Sequence, residues 1–344
     1  MNGKQYKRQI VTGLLIVMAL LLAGAGRLLT GQLKEQNIAS EWSKKDDYVQ
    51  LSCFFSKDAG MTSEQILPVE RQLTEALQNA AAENESGMGR SYVDAYSSQG
   101  QLTVYSDKTS VTVRAFGVGG DFFQFHPLKL LDGTYFDGND FNGDGVILDE
   151  NVAWQLFGGN HISGMTVEID NVVYPVRGVV RSDSGFFSEA AEEEKPTIYV
   201  SYGILAKGQE EPLPVDSYEL LILNPVKQFG FRALKDALGL DETAYEIVEN
   251  TTRYGLSNRL ALLKNFGVRS MRTKNIVFPY WENRARAYED VVELLFVLEL
   301  LCLIYPAVRL VRFLHGMWKR RKKLVQNLWK FLKELYKRVA FYRQ

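Results

Sequence analysis

The run DFNGDGVILDEN, residues 140–151, sets Asp140, Asn142, Asp144 and Gly145 at the spacing of the first half of a calcium loop. Alternating carboxylate and amide oxygens on a tight turn are the hard donors that calcium takes. Such a loop closes on a bidentate Glu at its twelfth position. Here the twelfth residue is Asn151, and Glu150 falls one place early. The preceding LLDGTYFDGN carries no helical pattern, so the flanking helix is missing too. Asp140, Asn142 and Asp144 are therefore read as a polar turn before a strand, where Asn, Asp and Gly accept positive φ, and no metal is assigned.

Other chemistry is sparse. His126, His161 and His315 are scattered, and neither His-x-x-x-His nor Cys-x-x-Cys occurs, which argues against zinc. There is no Gly-x-Ser-x-Gly elbow and no G-x-x-x-x-G-K-[ST] phosphate loop. Asp149-Glu150 and the acids of 192–194 are neighbours in sequence, but adjacent strand side chains point to opposite faces. No cofactor is expected and the chain does not read as an enzyme. Cys53 and Cys302 read as two unpaired thiols, since the second lies in an apolar run.

The charge distribution says where the chain works. The formal net charge of −1 hides an asymmetry. Outside residues 31–287 there are 16 Lys/Arg against 5 Asp/Glu; inside there are 24 against 36. A basic start and end around an acidic middle fit a membrane protein with its basic ends retained in the cytoplasm. Ile10–Gly26 has no charge and follows Lys4, Lys7 and Arg8. Its 17 residues rise about 26 Å as a helix, close to the ~30 Å hydrocarbon layer once Leu28 and Leu29 extend it. The competing reading is a cleaved signal peptide, with Ala23-Gly24-Ala25 as the small-residue site. Under either reading the following residues are exported.

A second span, 287–314, contains VVELLFVLELLCLIYPAV, with Glu293 and Glu299 inside it. Glu299 is a functional suspect at that depth, set against a carboxylate that faces a partner helix or reaches the interface. Pro306 is expected to kink the helix. Arg309, Arg312, Lys319, Arg320, Arg321, Lys322 and Lys323 follow and place the C-terminus inside. In the tail, 315–344, Leu324, Leu328, Leu332, Leu335 and Val339 form a stripe flanked by Trp329, Phe331 and Tyr336. Ten Lys/Arg and one acid lie between Lys319 and Arg343, so this basic amphipathic helix is expected on anionic lipid rather than on nucleic acid.

The expected order is a cytoplasmic N-terminus (1–9), a span (10–30), an extracytoplasmic α+β domain (31–286), a second span and the tail. In the middle, 47–55 predicts a strand. Residues 62–77 predict a helix with a Thr62/Gln65 capping box and an Ile66, Val69, Leu73, Leu77 stripe. Hairpins are predicted over 101–116 and, on Asp170-Asn171, over 165–180. A short helix at 151–158, a strand near 217–223 and a helix at 226–240 complete the pattern, with 188–196 as a solvated acidic loop.

Three stretches in order, FGVGGDFFQFHPLKLLDGTYF, VILDENVAWQLFG and ISGMTVEIDNVVYPVRGVV, resemble the extracytoplasmic core domain of MacB-type ABC transporter permeases, related to the FtsX family. The resemblance rests on Asp121-Phe122-Phe123, Gly133 to Phe136, Val146–Leu148 with Asn151–Gly158, and Gly164 to Gly178-Val179-Val180. It implies an α+β ectodomain, a MacB-type core, inserted between two transmembrane helices. It also implies coupling to a cytoplasmic ATPase. The family pattern has two further spans, and no apolar run of that length follows Val311. The expected partners are thus an ATP-binding subunit, a second permease chain and inner-leaflet lipid. The alternative is a membrane-anchored binding or sensor module that works without an ATPase; a secreted enzyme after signal cleavage has no constellation to support it.

Overall fold

The computed structural model describes residues 3–36, 38–43, 47–80, 90–136, 143–182, 195–207, 211–265 and 275–341. The chain divides into two compact units, Thr30–Asp290 on one hand and Met1–Leu29 with Val291–Gln344 on the other.

The helical unit holds α1, Gly3–Thr30. Its other member is the part of the last helix, Tyr280–Phe341, that lies beyond Asp290. Both helices are long and apolar enough to cross a membrane. The last helix starts before Ala287, runs on through Pro306 and includes most of the tail, so span and amphipathic tail are one element. At one end of the unit the Arg309 guanidinium donates to the Arg8 carbonyl at 2.6 Å and to the Thr12 hydroxyl. Helix α1 exposes apolar side chains on most sides, as a lipid-facing helix must.

In the α+β unit, α2 (Ile38–Trp42) precedes β1 (Tyr48–Phe55). Next comes α3, Ile66–Asn79, whose entry is capped by Gln65 Oε1 accepting from the Thr62 amide at 2.9 Å. Pro68 sits in its first turn, where a missing N–H costs nothing, and Ile66, Val69, Leu73 and Leu77 are buried. The first hairpin is longer than the sequence suggests: β2 is Tyr92–Tyr105 and β3 is Ser110–Gly120. A one-turn helix α4, Phe122–Phe125, leads to β4, Leu130–Gly133.

Strand β5 (Val146–Asp149) runs directly into α5 (Glu150–Phe157), which stops at Gly158 in the left-handed region. The hairpin β6 (Thr166–Ile169) and β7 (Val172–Val180) turns on Asp170 and Asn171, at φ of 50° and 61°. Two positive φ values match the twist of a two-residue hairpin. Then follow β8 (Thr197–Ser201), α6 (Tyr202–Ala206), β9 (Ser217–Leu223) and α7 (Phe229–Leu238). The last elements are β10 (Tyr245–Glu249), α8 (Leu256–Asn265) and the terminal helix, α9. The acidic loop lies outside the described residues over 188–194.

Among the described residues ten strands join one sheet, nine of them in the order β10-β1-β9-β2-β3-β8-β5-β7-β4. Strand β6 pairs with both β7 and the end of β2, through Tyr105 and Glu168. That pairing closes β2, β3, β8, β5, β7 and β6 into a ring. The ring has its own apolar core of Val104, Val113, Val146, Leu148, Val167, Val176 and Ile198, plugged by Val152 and Leu156 of α5. The other half of the sheet is open. Its pairings are antiparallel, whereas β3·β8 and β5·β7 are parallel. Helices α3 and α7 cover one face of the open half, where Val49, Leu51, Cys53 and Phe55 of β1 meet Leu73 and Leu234. Gly230 lets α7 come down on the sheet, since a Cβ there would meet Val49 at 2.4 Å and Ile222 at 2.7 Å. Cys53 is buried, Cys302 is half-buried, and no disulfide joins them.

Asp149 joins the halves of the β5–α5 crossing. Its Oδ1 accepts from the Val152 amide as the helix cap, and its Oδ2 accepts from the Thr197 amide, both at 2.7 Å. Asp149→Ala leaves two buried donors unpaired at ~1–3 kcal/mol each. The expected result is a Tm lower by roughly 4–20 °C in thermal unfolding of the purified chain. Gln101→Ala on the exposed face of β2 should leave Tm within about 2 °C.

Candidate functional site

Strand β1 is buried along its whole length, yet its second face is polar: Gln50 and Ser52 alternate with Phe54 there. Covering that face are the linker around Glu35, the turn after β10, and the first three turns of α9. The cover carries charge. Arg253 is 3% exposed and donates from Nη1 and Nη2 to the two Glu282 oxygens at 2.8 and 2.9 Å. Its Nε donates to Glu289 at 2.6 Å, and Nη1 also reaches Asn250 Oδ1 at 3.2 Å. Arg286 donates to Glu282 at 2.7 Å and to Glu246 of β10 at 2.6 Å. Glu282, Arg286 and Glu289 lie four and three residues apart, on one stripe of α9.

Burial opposes charge on Arg253, but Glu282 and then Glu289 outweigh it and lift its pKa well above the usual value. Glu282 mirrors this. Burial would raise it, while Arg253 and Arg286 hold its carboxyl below the ordinary range. Arg253 and Glu282 therefore stay ionised, buried and paired.

A chain of hydrogen bonds runs from it through the sheet. Asn250 donates to Ser52 Oγ at 2.8 Å, and Ser52 donates to Glu219 of β9 at 3.2 Å. Glu219 meets His126 Nε2 at 2.5 Å. His126 is 1% exposed, between Phe122 and Trp281, with ring centroids 4.3 and 4.4 Å away. Its Nδ1 is buried without a hydrogen-bond partner. Beside it, Phe116, Tyr199, Tyr280 and Trp281 form an aromatic nest in which the Tyr199 and Tyr280 hydroxyls bond at 2.8 Å. A second face of α9 is tied to the linker: Arg284 donates to Glu35 at 2.6 Å and Tyr288 to Gln32 at 3.3 Å. The two segments that bracket the α+β unit thus meet at one ionic and aromatic foot. A cleft of about 380 Å³ opens beside it, between Phe231 of α7, Glu246 and Glu249 of β10, and Ala261 and Leu262 of α8.

A separate carboxyl group stands out. Burial pushes Asp94 of β2 up to about 7. The Tyr218 hydroxyl, donating at 2.8 Å, pulls the other way, and the charges of Glu70 and Asp121 add to the rise. Glu70 of α3 is raised as well, first by burial. Asp121 itself pairs with Arg90 at 2.6 Å.

The candidates read from the sequence lie elsewhere. Asp140 and Asn142 fall outside the described residues. Asp144 accepts from Arg177 at 3.0 Å, a structural use of its carboxylate, and among the described residues no group of three acidic, His or Cys side chains could hold a metal. Glu299 is half-buried on α9, and Pro306 lies inside the same helix. Arg309 bonds α1 as described; Arg312, Lys319, Arg320, Arg321, Lys322 and Lys323 are exposed, with Lys322 over the Trp318 ring at 4.7 Å. Leu335, Tyr336 and Val339 lie outside the described side chains. Sequence reasoning missed Arg253 and its partners. The acid–base–acid stripe within WENRARAYED was the available signal, but its counterions lie 29 to 40 residues away.

The sequence profile of the family described as MacB-like periplasmic core domain matches residues 10–223. A Neisseria gonorrhoeae protein named macrolide export ATP-binding/permease protein MacB is 34% identical over 96 residues, 27% of this chain and 15% of the relative. The chain thus matches only about a seventh of that protein's length. The periplasmic region of MacB from Actinobacillus actinomycetemcomitans aligns at 16% identity with a TM-score of 0.42, covering 60% of this chain and 90% of that one. The extracellular domain of the noncanonic ABC-type transporter YknZ from Gram-positive bacteria aligns at 18% identity with a TM-score of 0.38, covering 58% and 99%.

Two outcomes are expected from the geometry. Arg253→Met removes the buried cation that both Glu282 and Glu289 face and should cost ~3–5 kcal/mol, read as a large Tm loss, whereas Lys235→Met, breaking the exposed pair with Glu242, should cost less than ~1 kcal/mol. The second outcome concerns pH. Asp94 binds its proton more tightly folded than unfolded, so its contribution is full below about pH 4 and is lost as pH rises through about 7. Asp149, raised by burial to about 6, adds a slope of the same sign. Glu282 has the opposite sign, and its contribution is lost only under acid conditions. Asp94→Asn should therefore flatten the fall of Tm between pH 5 and 8 and raise Tm at pH 8; an unchanged profile would remove Asp94 from the account.

Proposed function

The chain belongs to the family of the MacB-like periplasmic core domain, and from that membership we propose that it is a two-span, permease-like or accessory subunit of an ABC-type transport complex. The observation that carries the reading is the match over residues 10–223, which begins in the first apolar helix and ends with β9. The relatives' name joins ATP-binding and permease functions, and these 344 residues carry no G-x-x-x-x-G-K-[ST]. ATP hydrolysis is accordingly assigned to another chain. A second permease chain is the further protein partner proposed, and anionic lipid of the inner leaflet meets the basic tail. No enzymatic step is assigned to this chain.

In this reading both termini are cytoplasmic, and residues 31–286 stand outside the membrane. The basic flanks of the two apolar helices support that orientation. The coupling element is α9, which has residues in both compact units. Within the α+β unit its first turns are held by Arg253 and Glu35. A nucleotide-driven change in an ATPase that displaced the span helices would reach the sheet through those contacts, because packed, ion-paired elements shift as bodies rather than deform.

Affinity purification of the tagged chain from its own membranes in mild detergent should recover an ATP-binding protein in stoichiometric amount. Recovery as a single species would favour the anchored binding or sensor module instead.

A further inference from the structure

Helix α9 continues well past the apolar window that qualifies it as a span, and its last part is uncovered. Residues 318–333 are exposed throughout, large apolar side chains included: Trp318 is 58% exposed, Leu324 68%, Leu328 61%, Trp329 67% and Leu332 54%. At ~100° per residue these fall in one arc of roughly 140°. The opposite arc holds Lys319, Lys322, Lys323, Lys330 and Lys333; Arg321 is the one charge that falls on the apolar side. Lys322 lies over the Trp318 ring at the border between the two arcs. Such a helix face in water violates the usual covering of apolar surface, so something covers it.

Charge selects the cover. Seven Lys/Arg and no Asp or Glu lie between residues 319 and 333. A second copy of this helix would set two basic arcs side by side, which is repulsive. A negatively charged surface that is also apolar beneath satisfies both arcs together, and Trp and Lys at their border suit the headgroup level. We propose that residues 318–333 are an interfacial site for anionic lipid headgroups, the apolar arc entering the leaflet and the lysines pairing with phosphates. This deepens the lipid contact proposed above and rests on α9 being a span; it does not depend on coupling to an ATPase.

The test uses the purified full chain in nanodiscs, without other proteins, so it is independent of any ATPase partner. In a Cys302→Ala background, Cys53 being fully buried, Leu328→Cys and Gln326→Cys are labelled with a membrane-impermeant maleimide. Expected is at least fivefold slower labelling of the residue 328 thiol in phosphatidylglycerol discs than in phosphatidylcholine discs. The residue 326 thiol, on the basic arc, should react at similar rates in both. Replacing Lys319, Lys322, Lys323 and Lys330 with Gln should restore fast labelling at 328 in the anionic discs, as should ~1 M salt. Equal labelling at 328 in both lipids, or protection in both, would overturn the proposal, as would a 328–328 disulfide showing that a second copy is the cover.

Discussion

Arg253 is the constraint on which the α+β unit is organised. It is a buried cation whose bonds to the two Glu282 oxygens, Glu289 and Asn250 bring the turn after β10 together with two turns of α9. A charge in a protein interior is tolerable only when such bonds replace its water, and the desolvation cost means the cluster gives little net stability. What it does give is register. If α9 slipped by one turn, Arg286 would come to the place of Glu282 and face Arg253. A hydrophobic seam would penalise such a slip far less, because one apolar side chain substitutes for another at modest cost.

The rest of the foot follows from this choice. Once the second face of β1 carries Gln50 and Ser52, burial favours partners for the polar atoms of that layer, and most have one, Gln50 Oε1 and His126 Nδ1 excepted. The side chain of Gln50 donates to the Glu35 carbonyl, which fixes the incoming linker. Ser52 passes the requirement to Glu219, and Glu219 meets His126. Phe122 and Trp281 pack on the His126 ring, and His126 and Glu219 are both buried. The first face of the same strand, with Leu51 and Cys53 against α3 and α7, is an ordinary apolar core. One strand therefore serves two layers, one specifying compactness and the other specifying where α9 stands.

Local rules in the sequence foretold local structure. The Thr62/Gln65 box marks the entry to α3, and Asp170-Asn171 gives the tight turn between β6 and β7, because each depends on a few neighbouring residues. The two apolar helices were equally plain. The ring was not legible: β8 and β10 are five residues each, and their partners lie far along the chain, so no local period reports the parallel pairing of β3 with β8. The calcium-like run was legible as a polar turn, but the use of its acid was not. Asp144 is an acid that answers Arg177 across the ring wall, which only the fold could reveal. The Arg253 cluster was hidden for the same reason, since Glu282, Arg286 and Glu289 read on their own as a solvated helix face.

A double-mutant cycle on Arg253 and Glu282 in the full chain addresses the central claim most directly. Arg253→Met, Glu282→Gln and the pair would be compared by equilibrium unfolding of the α+β unit, followed by the fluorescence of Trp281 with the other four tryptophans replaced by Phe in every variant. If the ion cluster fixes α9 on the sheet, the two changes are strongly coupled, with an interaction energy of about 2 kcal/mol or more, because neutralising Glu282 costs far less once Arg253, which balances its charge, is gone. An interaction energy below ~0.5 kcal/mol would mean that the two charges act independently, and that packing alone sets the position of α9.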